Sequence, residues 1–551
     1  VERVYRHTVK SYLIELAVLI GTAVLYSFAF PGFLSNEGYG FVAFFALIPL
    51  FAVIRHTSWK SIIPYGFLYG FTFYTCFNYW LTTFHPLAIL IVPIIKGGEM
   101  MMLFPALKAA SSLSRRFSYL VQTVIWVAYA FLSQSWFAGY PYGTIAYAAY
   151  EYLPFIQIAS FSGIWGITFL MILPQSFFAV YLTDYVALRS QAGSLTDYLK
   201  AHLPVIITYA ALIIATLIYG FITVHSWDNR EPEKTWRVAT VQHSADSWKG
   251  GYTTYKRNFN TLRTLSLEAL REDPDMILWS ETAFVPSVAW HMTYRPVEAT
   301  AELVEEFIEF GTSLPVPLLT GNPEGVLEDE SRPAVLEDGS WNRTDYNTVI
   351  MFEDGQIKNT YRKQHLVPFT EHFPYEKQMP WLYNLLLAND YNWWETGYDP
   401  VVFTTDEGVN FSTPICFEDV FGYLTAGFVR NGADVIVNMT NDSWSGAVSA
   451  EMQHFAMAVF RSIETRKSTI RGTNSGITAM ILPSGRYVDP MEPFTKGWNI
   501  YEVPVYESGD DTLYTLYDDI LAKGAVLLSA VLLFALALLK IITRFGRKPH
   551  A

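Results

Sequence analysis

The chain has 551 residues, of which 51% are hydrophobic, 16% aromatic and only 16% charged, with a net charge of −13 and two cysteines. Soluble domains carry roughly 25% charged residues, so this composition excludes an ordinary soluble protein. The negative balance excludes a nucleic-acid binder, which needs basic patches.

A helix needs about 20 apolar residues to cross a bilayer. In chain order such runs lie near 12–32, 39–54, 62–82, 86–107, 118–134, 160–183 and 203–224, with an eighth near 523–543. The second is short, and so is tilted, re-entrant or not a true span. No small-residue cleavage site follows the first, which reads as a retained span and not a signal peptide. The predicted organisation is a membrane region over 1–225, a soluble region over 226–520, and a last span with its tail over 521–551.

Lys and Arg favour cytoplasmic loops. Arg3, Arg6 and Lys10 precede the first run, and Arg55 and Lys60 follow the second. Lys108, Arg115 and Arg116 follow the fourth, Arg189 and Lys200 precede the seventh, and Lys540, Arg544, Arg547 and Lys548 close the chain. All fall on one side if both termini are cytoplasmic. The loop 135–159, which lacks Lys and Arg, and the soluble region then face outward, toward the periplasm if the membrane is a bacterial inner membrane. Lys96 and Glu99 interrupt the fourth run on one helix face. They form either a buried structural ion pair or a site for a lipid headgroup.

From Trp236 the pattern changes to short strands between turns and helices. Strands are predicted at 237–242, 275–279 and 316–320, with hairpins at 348–361, 401–415 and 476–488 and a further strand at 434–438. Helices are predicted near 253–271, 296–311 and 448–467. Strands interleaved with helices imply an α/β domain whose sheets are covered by helices. Three residues capable of chemistry each stand just beyond a strand: Glu281 in Trp279-Ser-Glu281-Thr282, Lys363 in Tyr361-Arg-Lys363-Gln-His365, and Cys416 in Thr413-Pro-Ile-Cys416-Phe-Glu418-Asp419.

Cysteine attacks as the thiolate, and a free thiol has a pKa of about 8.5. A neighbouring carboxylate that takes the proton contributes roughly 10²–10⁴-fold, a role open to Glu281. A fixed cation such as Lys363 can stabilise the oxyanion formed on an ester, and the thioester then awaits a second nucleophile. Taken singly, each residue also has a structural reading: a buried inert thiol, a helix-terminal acid, a solvated lysine. Cys76 lies in the third run, so no disulfide is expected. No His/Cys spacing suits a metal, and His365 and His454 read as isolated.

Together the motifs Trp-Ser-Glu281-Thr-Ala, Lys363-Gln-His-Leu-Val-Pro-Phe-Thr-Glu371 and Ile-Cys416-Phe-Glu418 resemble the nitrilase superfamily. With seven spans before them and one after, they resemble its membrane-embedded branch, the apolipoprotein N-acyltransferases. The likeness extends to Tyr346-Asn347-Thr348, Thr440-Asn-Asp442-Ser-Trp444, Gln453-His454-Phe455 and Arg471-Gly-Thr-Asn474. It implies a multi-span helical domain joined to an αββα sandwich. Glu281 is then the base, Lys363 the oxyanion stabiliser, Cys416 the acyl carrier and Glu371 a supporting carboxylate. The implied reaction moves an acyl chain from a phospholipid, through a Cys416 thioester, to the α-amine of an S-diacylglyceryl apolipoprotein, with no metal or soluble cofactor.

The resemblance also places Trp248, Asn347, Glu418 and Trp444 at a substrate entrance, and Phe417 against an acyl chain. Each has an alternative: the tryptophans as interfacial anchors, Asn347 as a strand-end cap, Glu418 as a partner of Arg471. Phe417 stands where many members have tyrosine, and Ser445 where a bulkier aromatic is common. The aromatic segment 140–147 is expected on the soluble region's side, along the route of the lipid. Two other functions compete: a tethered nitrilase-type amidase acting on a small carbon–nitrogen substrate, and a non-catalytic membrane receptor.

Overall fold

The computed structural model describes residues 8–83, 88–113, 117–135, 139–183, 195–373, 375–387, 393–506, 509 and 511–546. They divide into two compact units, one formed by Val1–His225 with Asp519–Ala551 and the other by Ser226–Asp518.

The first unit is helical. Its principal helices are α1 (Val9–Ser27), α2 (Ile48–His56), α3 (Ile62–Phe77), α4 (Ala88–Leu113), α5 (Ser118–Ser135), α6 (Leu153–Ile156), α7 (Ala159–Ser162), α8 (Ile164–Tyr181), α9 (Leu195–Ala201) and α10 (Leu203–Asp228), and the closing helix is Ile520–Gly546. Among the described residues, five are long and apolar enough to cross a membrane: α1, α4, α8, α10 and the closing helix. The other three expected spans depart from that standard. Residues 39–54 break into a 3₁₀ turn at Gly40–Phe44 and the nine-residue α2. Pro49, at the start of α2, suits a new helix start there. α3 stops at Phe77 and gives way to the 3₁₀ turn Tyr79–Thr83, while α5 carries Gln122, Thr123 and Gln134 within its length. Of the basic residues that set the expected sidedness, Arg3, Arg6, Arg115, Arg116, Arg189, Arg547 and Lys548 lie outside the described residues.

α3 lies directly along α4. A Cβ on Gly66 would meet the Met100 carbonyl oxygen at 2.4 Å, and one on Gly70 would meet Gly97 Cα at 3.0 Å. Small residues of this kind let membrane helices approach closely. Beside this seam Lys96 is fully buried, and its ammonium donates to both Glu99 oxygens at 3.1 Å and to the Ser133 carbonyl at 3.0 Å. The Tyr129 hydroxyl donates to Glu99 at 3.2 Å. Of the two readings of this pair, the geometry favours the structural one: the charges tie α4 to α5. In the aromatic segment, Tyr140 stacks on Tyr142 and its hydroxyl donates to Asn78 at 2.8 Å.

The second unit is the αββα sandwich. Its strands are β1 (Lys234–Gln242), β2 (Met276–Leu278), β3 (Leu318–Gly321), β4 (Glu324–Leu327), β5 (Arg343–Tyr346), β6 (Thr348–Glu353), β7 (Gln356–Arg362), β8 (Trp394–Glu395), β9 (Phe403–Thr404), β10 (Asn410–Ser412), β11 (Val435–Thr440), β12 (Ser468–Thr473), β13 (Ala479–Ile481), β14 (Tyr487–Val488) and β15 (Gly497–Val505). Between them run α11 (Tyr252–Ala269), α12 (Val288–Tyr294), α13 (Glu298–Ser313), α14 (Pro380–Leu387), α15 (Gly422–Arg430) and α16 (Val448–Thr465).

One sheet has the order β15-β1-β2-β3-β6-β7 and the other β9-β10-β11-β12-β13-β14, with β4, β5 and β8 forming a small third sheet. Read in those orders, both large sheets pair antiparallel, parallel, parallel, antiparallel, antiparallel. They are topological twins, although no repeat is visible in the sequence. Trp236, Val238, Leu278 and Met351 from the first sheet share one core with Phe411, Val435, Val437 and Ile470 from the second. The first sheet's other face packs on α11 and α13 through Phe259, Leu262, Val304 and Phe307. The β6–β7 hairpin turns through Asp354 and Gly355, both at positive φ (51° and 74°), as a two-residue hairpin loop prefers. The sequence reading missed the nine-residue edge strand β15 and the helix α15.

Candidate active site

The site grows from the ends of four strands. β2 is three buried apolar residues, Met276-Ile277-Leu278, and the chain turns sharply after it, with Thr282 at φ 44°. That turn holds the Glu281 carboxylate inside, 6% exposed. Its Oε1 accepts from Asn347 Nδ2 at 2.8 Å and from Lys363 Nζ at 3.3 Å, and its Oε2 accepts from the Asn441 backbone N–H at 2.9 Å. Lys363 is the first residue past β7 and is fully buried. It also donates to Glu371 Oε1 at 2.8 Å, and Glu371 Oε2 accepts from the Val367 N–H at 2.8 Å, which folds the 363–371 loop back on itself.

Cys416 opens a 3₁₀ turn, Cys416–Val420, shortly after β10, and its backbone sits at φ 49°. A non-glycine residue in that region costs on the order of 1–3 kcal/mol and is retained where its surroundings over-determine it. The thiol is buried, and its charge state interacts with Glu281, Lys363 and Glu371. Glu281, Lys363 and Glu371 are thus joined by hydrogen bonds, and the Cys416 thiol lies within electrostatic reach of all three.

The electrostatics follow from the burial. Desolvation raises the Glu281 pKa above the carboxylate norm, opposed by the Lys363 charge and reinforced by Glu371. Burial alone would lower Lys363, but Glu371 and Glu281 outweigh it and hold the ammonium above its ordinary pKa. Burial and the nearby Glu281 charge push the Cys416 thiol well up, with Lys363 opposing them. The resting arrangement is a neutral thiol beside a carboxylate more basic than usual, with a permanent cation at hand. That combination suits proton transfer concerted with nucleophilic attack.

Glu418 does not pair with Arg471. It is fully buried and accepts from the Tyr361 hydroxyl (2.8 and 2.9 Å) and from the backbone N–H groups of Gln364 (2.6 Å), His365 (2.9 Å) and Ile415 (2.7 Å). It thus binds the chain just after Lys363 to the chain just before Cys416. Burial lifts its pKa to about 7 against these hydrogen bonds. The neighbouring carboxylate, Asp419, takes Arg471 instead, at 2.6 Å. Asn347 is likewise committed to Glu281 and does not cap a strand with its side chain. Phe417 is buried against Phe421 and His365, Trp444 is half-buried, and Trp248 is 63% exposed.

Neither histidine is isolated. His365 packs against Phe421 with ring centroids 4.0 Å apart, and burial together with the Lys363 charge lowers its pKa to about 4. His454 on α16 lies between Asp419 (2.8 Å) and Asp442 (2.9 Å), and Arg471 from β12 reaches both acids. Sequence spacing concealed this cluster because its members come from four separate elements. The quoted Asn-Asp442, Gln-His454 and Arg471-Gly motifs and the Asp419 of the cysteine motif were its only traces. Cys416, Asp442 and His454 bring potential ligand atoms within 4.8 Å of one another. The Arg471 guanidinium, 3.0 Å from Asp442 and 3.1 Å from His454, already supplies the cation there.

Gly321 ends β3 directly against the Glu281–Thr282 peptide, where a Cβ would meet Thr282 N at 2.3 Å. Gly321→Ala is expected to displace Glu281, slow the enzyme at least about tenfold and destabilise it by about 1–3 kcal/mol. Turnover and thermal unfolding of the variant measure this, and wild-type values for both would contradict it.

The two-sheet fold is that of the carbon–nitrogen hydrolase class, here joined to several apolar helices. Residues 237–509 match the carbon-nitrogen hydrolase family, and residues 22–177 match the apolipoprotein N-acyltransferase N-terminal domain. Apolipoprotein N-acyltransferase 1 of Treponema denticola is 34% identical over 98% of this chain and 98% of its own length. Its namesake in Treponema pallidum is 34% identical over 90% and 91%, and apolipoprotein N-acyltransferase of Borreliella burgdorferi is 27% identical over 91% of each. The chain belongs to the apolipoprotein N-acyltransferase family. It is a multi-pass membrane acyltransferase.

Proposed function

We propose that the protein carries an acyl chain from a phospholipid to the α-amine of the N-terminal S-diacylglyceryl cysteine of apolipoproteins, by way of a thioester on Cys416. The observation that carries this reading is the buried meeting of Glu281, Lys363 and Glu371 around a strained, buried thiol. In the first half-reaction Glu281 takes the thiol proton as sulfur attacks the ester carbonyl. Lys363 faces the oxyanion, the C–O bond breaks, and Glu281 returns the proton to the departing lysophospholipid oxygen. In the second half-reaction the acceptor amine attacks the thioester and gives its proton to Glu281. The C–S bond breaks, the amide forms, and the sulfur recovers the proton. The cycle is ping-pong.

Placement of the catalytic unit on the outer, periplasmic side of a bacterial inner membrane is part of the same proposal, supported by the loop 135–159 without Lys or Arg. Exposing a lipid tail to water costs about 0.8 kcal/mol per CH₂, which favours donor and acceptor reaching the sulfur from the bilayer. The amidase alternative is disfavoured by the family membership and by several apolar helices where one anchor would suffice.

Incubation with defined phospholipids and intact-mass analysis tests the proposal. Wild type should gain one fatty acyl mass, removable by hydroxylamine, and Cys416→Ser should gain none. A wild type that stays unmodified while hydrolysing a small amide would sink the acyl-transfer reading.

A further inference from the structure

The cluster behind the nucleophile is a closed ring of four charged side chains. Asp419 gives one oxygen to His454 Nε2 (2.8 Å) and the other to Arg471 Nη1 (2.6 Å). Asp442 gives one oxygen to His454 Nδ1 (2.9 Å) and the other to Arg471 Nη2 (3.0 Å). Every member is at most 3% exposed. A carboxylate oxygen can only accept, so each ring nitrogen of His454 must donate, and a histidine that donates from both nitrogens is an imidazolium. The Arg471 Nη2 to His454 Nδ1 distance of 3.1 Å is a cation–cation contact, offset by the Asp442 carboxylate that both share. Two cations and two anions then balance. With a neutral imidazole the ring would hold a net buried negative charge beside the sulfur.

We propose that His454 is a positioning residue for acyl transfer: an imidazolium that locks the Cys416–Val420 turn through Asp419 and keeps a positive charge behind the Cys416 sulfur. The claim rests on Cys416 being the acyl carrier. Asp419 lies in the same turn as Cys416, so a grip on its carboxylate is a grip on that strained turn. Asp442 follows Asn441, whose N–H holds Glu281, so the ring also braces the peptide that aims the base. His454 comes within 4.8 Å of the sulfur, and so does the Asp442 carboxylate, which raises the thiol pKa, so the imidazolium offsets a negative charge that would otherwise stand alone there. The groups facing it are Asp419 from the turn, Asp442 from the loop after β11, Arg471 from β12 and Cys416. One turn earlier on its own helix, Glu451 lies against Asp442 and accepts from the Ser445 hydroxyl at 2.9 Å. Burial opposes the charged ring form, but Asp442 and Asp419 outweigh it and raise the His454 pKa to about 9. The charge is thus present at neutral pH.

An opposite charge within about 4–6 Å lowers the pKa of an acid by about one to three units. Removing it should raise the thiol pKa by at least about one unit, and the reactive thiolate fraction falls tenfold per unit below the pKa. The test is the rate of Cys416 alkylation by iodoacetamide on the full-length protein in detergent, read peptide by peptide to separate it from Cys76, between pH 6.5 and 9. His454→Gln keeps one hydrogen bond and loses the charge. It is expected to slow labelling about tenfold at pH 7 and to shift the profile upward, with a lowered melting temperature because two buried carboxylates lose a charged partner. Asp419→Asn, measured in parallel should His454→Gln not fold, weakens the hold on the proton. Its labelling deficit should be greater at pH 8.5 than at pH 7. Wild-type profiles in whichever of these variants folds would overturn the proposal. Failure of the acyl-carrier reading shows separately, as absence of a thioester on Cys416 in the wild-type protein.

Discussion

Lys363→Met is expected to lower kcat/KM by at least about 10³ while leaving substrate binding largely intact. The ammonium sits between Glu281 at 3.3 Å and Glu371 at 2.8 Å with no access to water. Loss of one oxyanion donor typically costs about 10²–10³ in rate. Here a second loss follows. Without the cation, the buried Glu281 carboxylate is left beside that of the partly exposed Glu371, and burial then favours the protonated form of Glu281. The proton that neutralises Glu281 removes the base as well. Single-turnover thioester formation measured by mass distinguishes this result from a folding defect, provided the melting temperature is determined on the same preparation. A rate within tenfold of wild type would show that Lys363 is only a structural counter-ion.

Glu281→Gln is expected to cost about 10²–10⁴ in the acylation half-reaction and to abolish the acidic limb of its pH profile. The limb arises because Glu281 must be ionised to accept the thiol proton. Burial raises its pKa, so the wild-type rate should begin to fall at a higher pH than for an exposed glutamate as the solution is acidified. The amide keeps the shape, and its oxygen can still accept from Asn347 and Lys363, but its NH2 cannot accept from the Asn441 N–H, so thermal unfolding of the variant is measured alongside to separate that lost contact from lost proton transfer. A variant that retained an acidic limb would assign that limb to another group, with Glu418, near 7, the first to examine.

The candidate cluster was legible in the sequence through its short motifs and their likeness to the nitrilase superfamily; Glu281 also follows a short apolar strand, whereas Lys363 follows the polar and largely exposed β7. Apolar strands were legible in their own right: Met276-Ile-Leu278 and Val435-Ile-Val437 are too short and too apolar to be anything but buried sheet. Helix length in the membrane region was less legible. Hydropathy averages over residues 39–54 and cannot register that Leu47-Ile-Pro49 restarts the helix. The partner of Arg471 was not legible either. Glu418 and Asp419 are adjacent carboxylates on a tight turn that points them in opposite directions, and only the turn decides which one meets the guanidinium. The same limit hid His454, whose charge partners lie 35 and 12 residues away.

Glu281 and Lys363 hang from one sheet, whereas Cys416 and Asn441 hang from its topological twin. Catalysis is therefore a gauge of the seam where the two layers meet. A slip of about 1 Å along it can cost two orders of magnitude in rate without unravelling either layer. In gentle titration with urea, turnover should vanish before circular dichroism registers any loss of strand or helix.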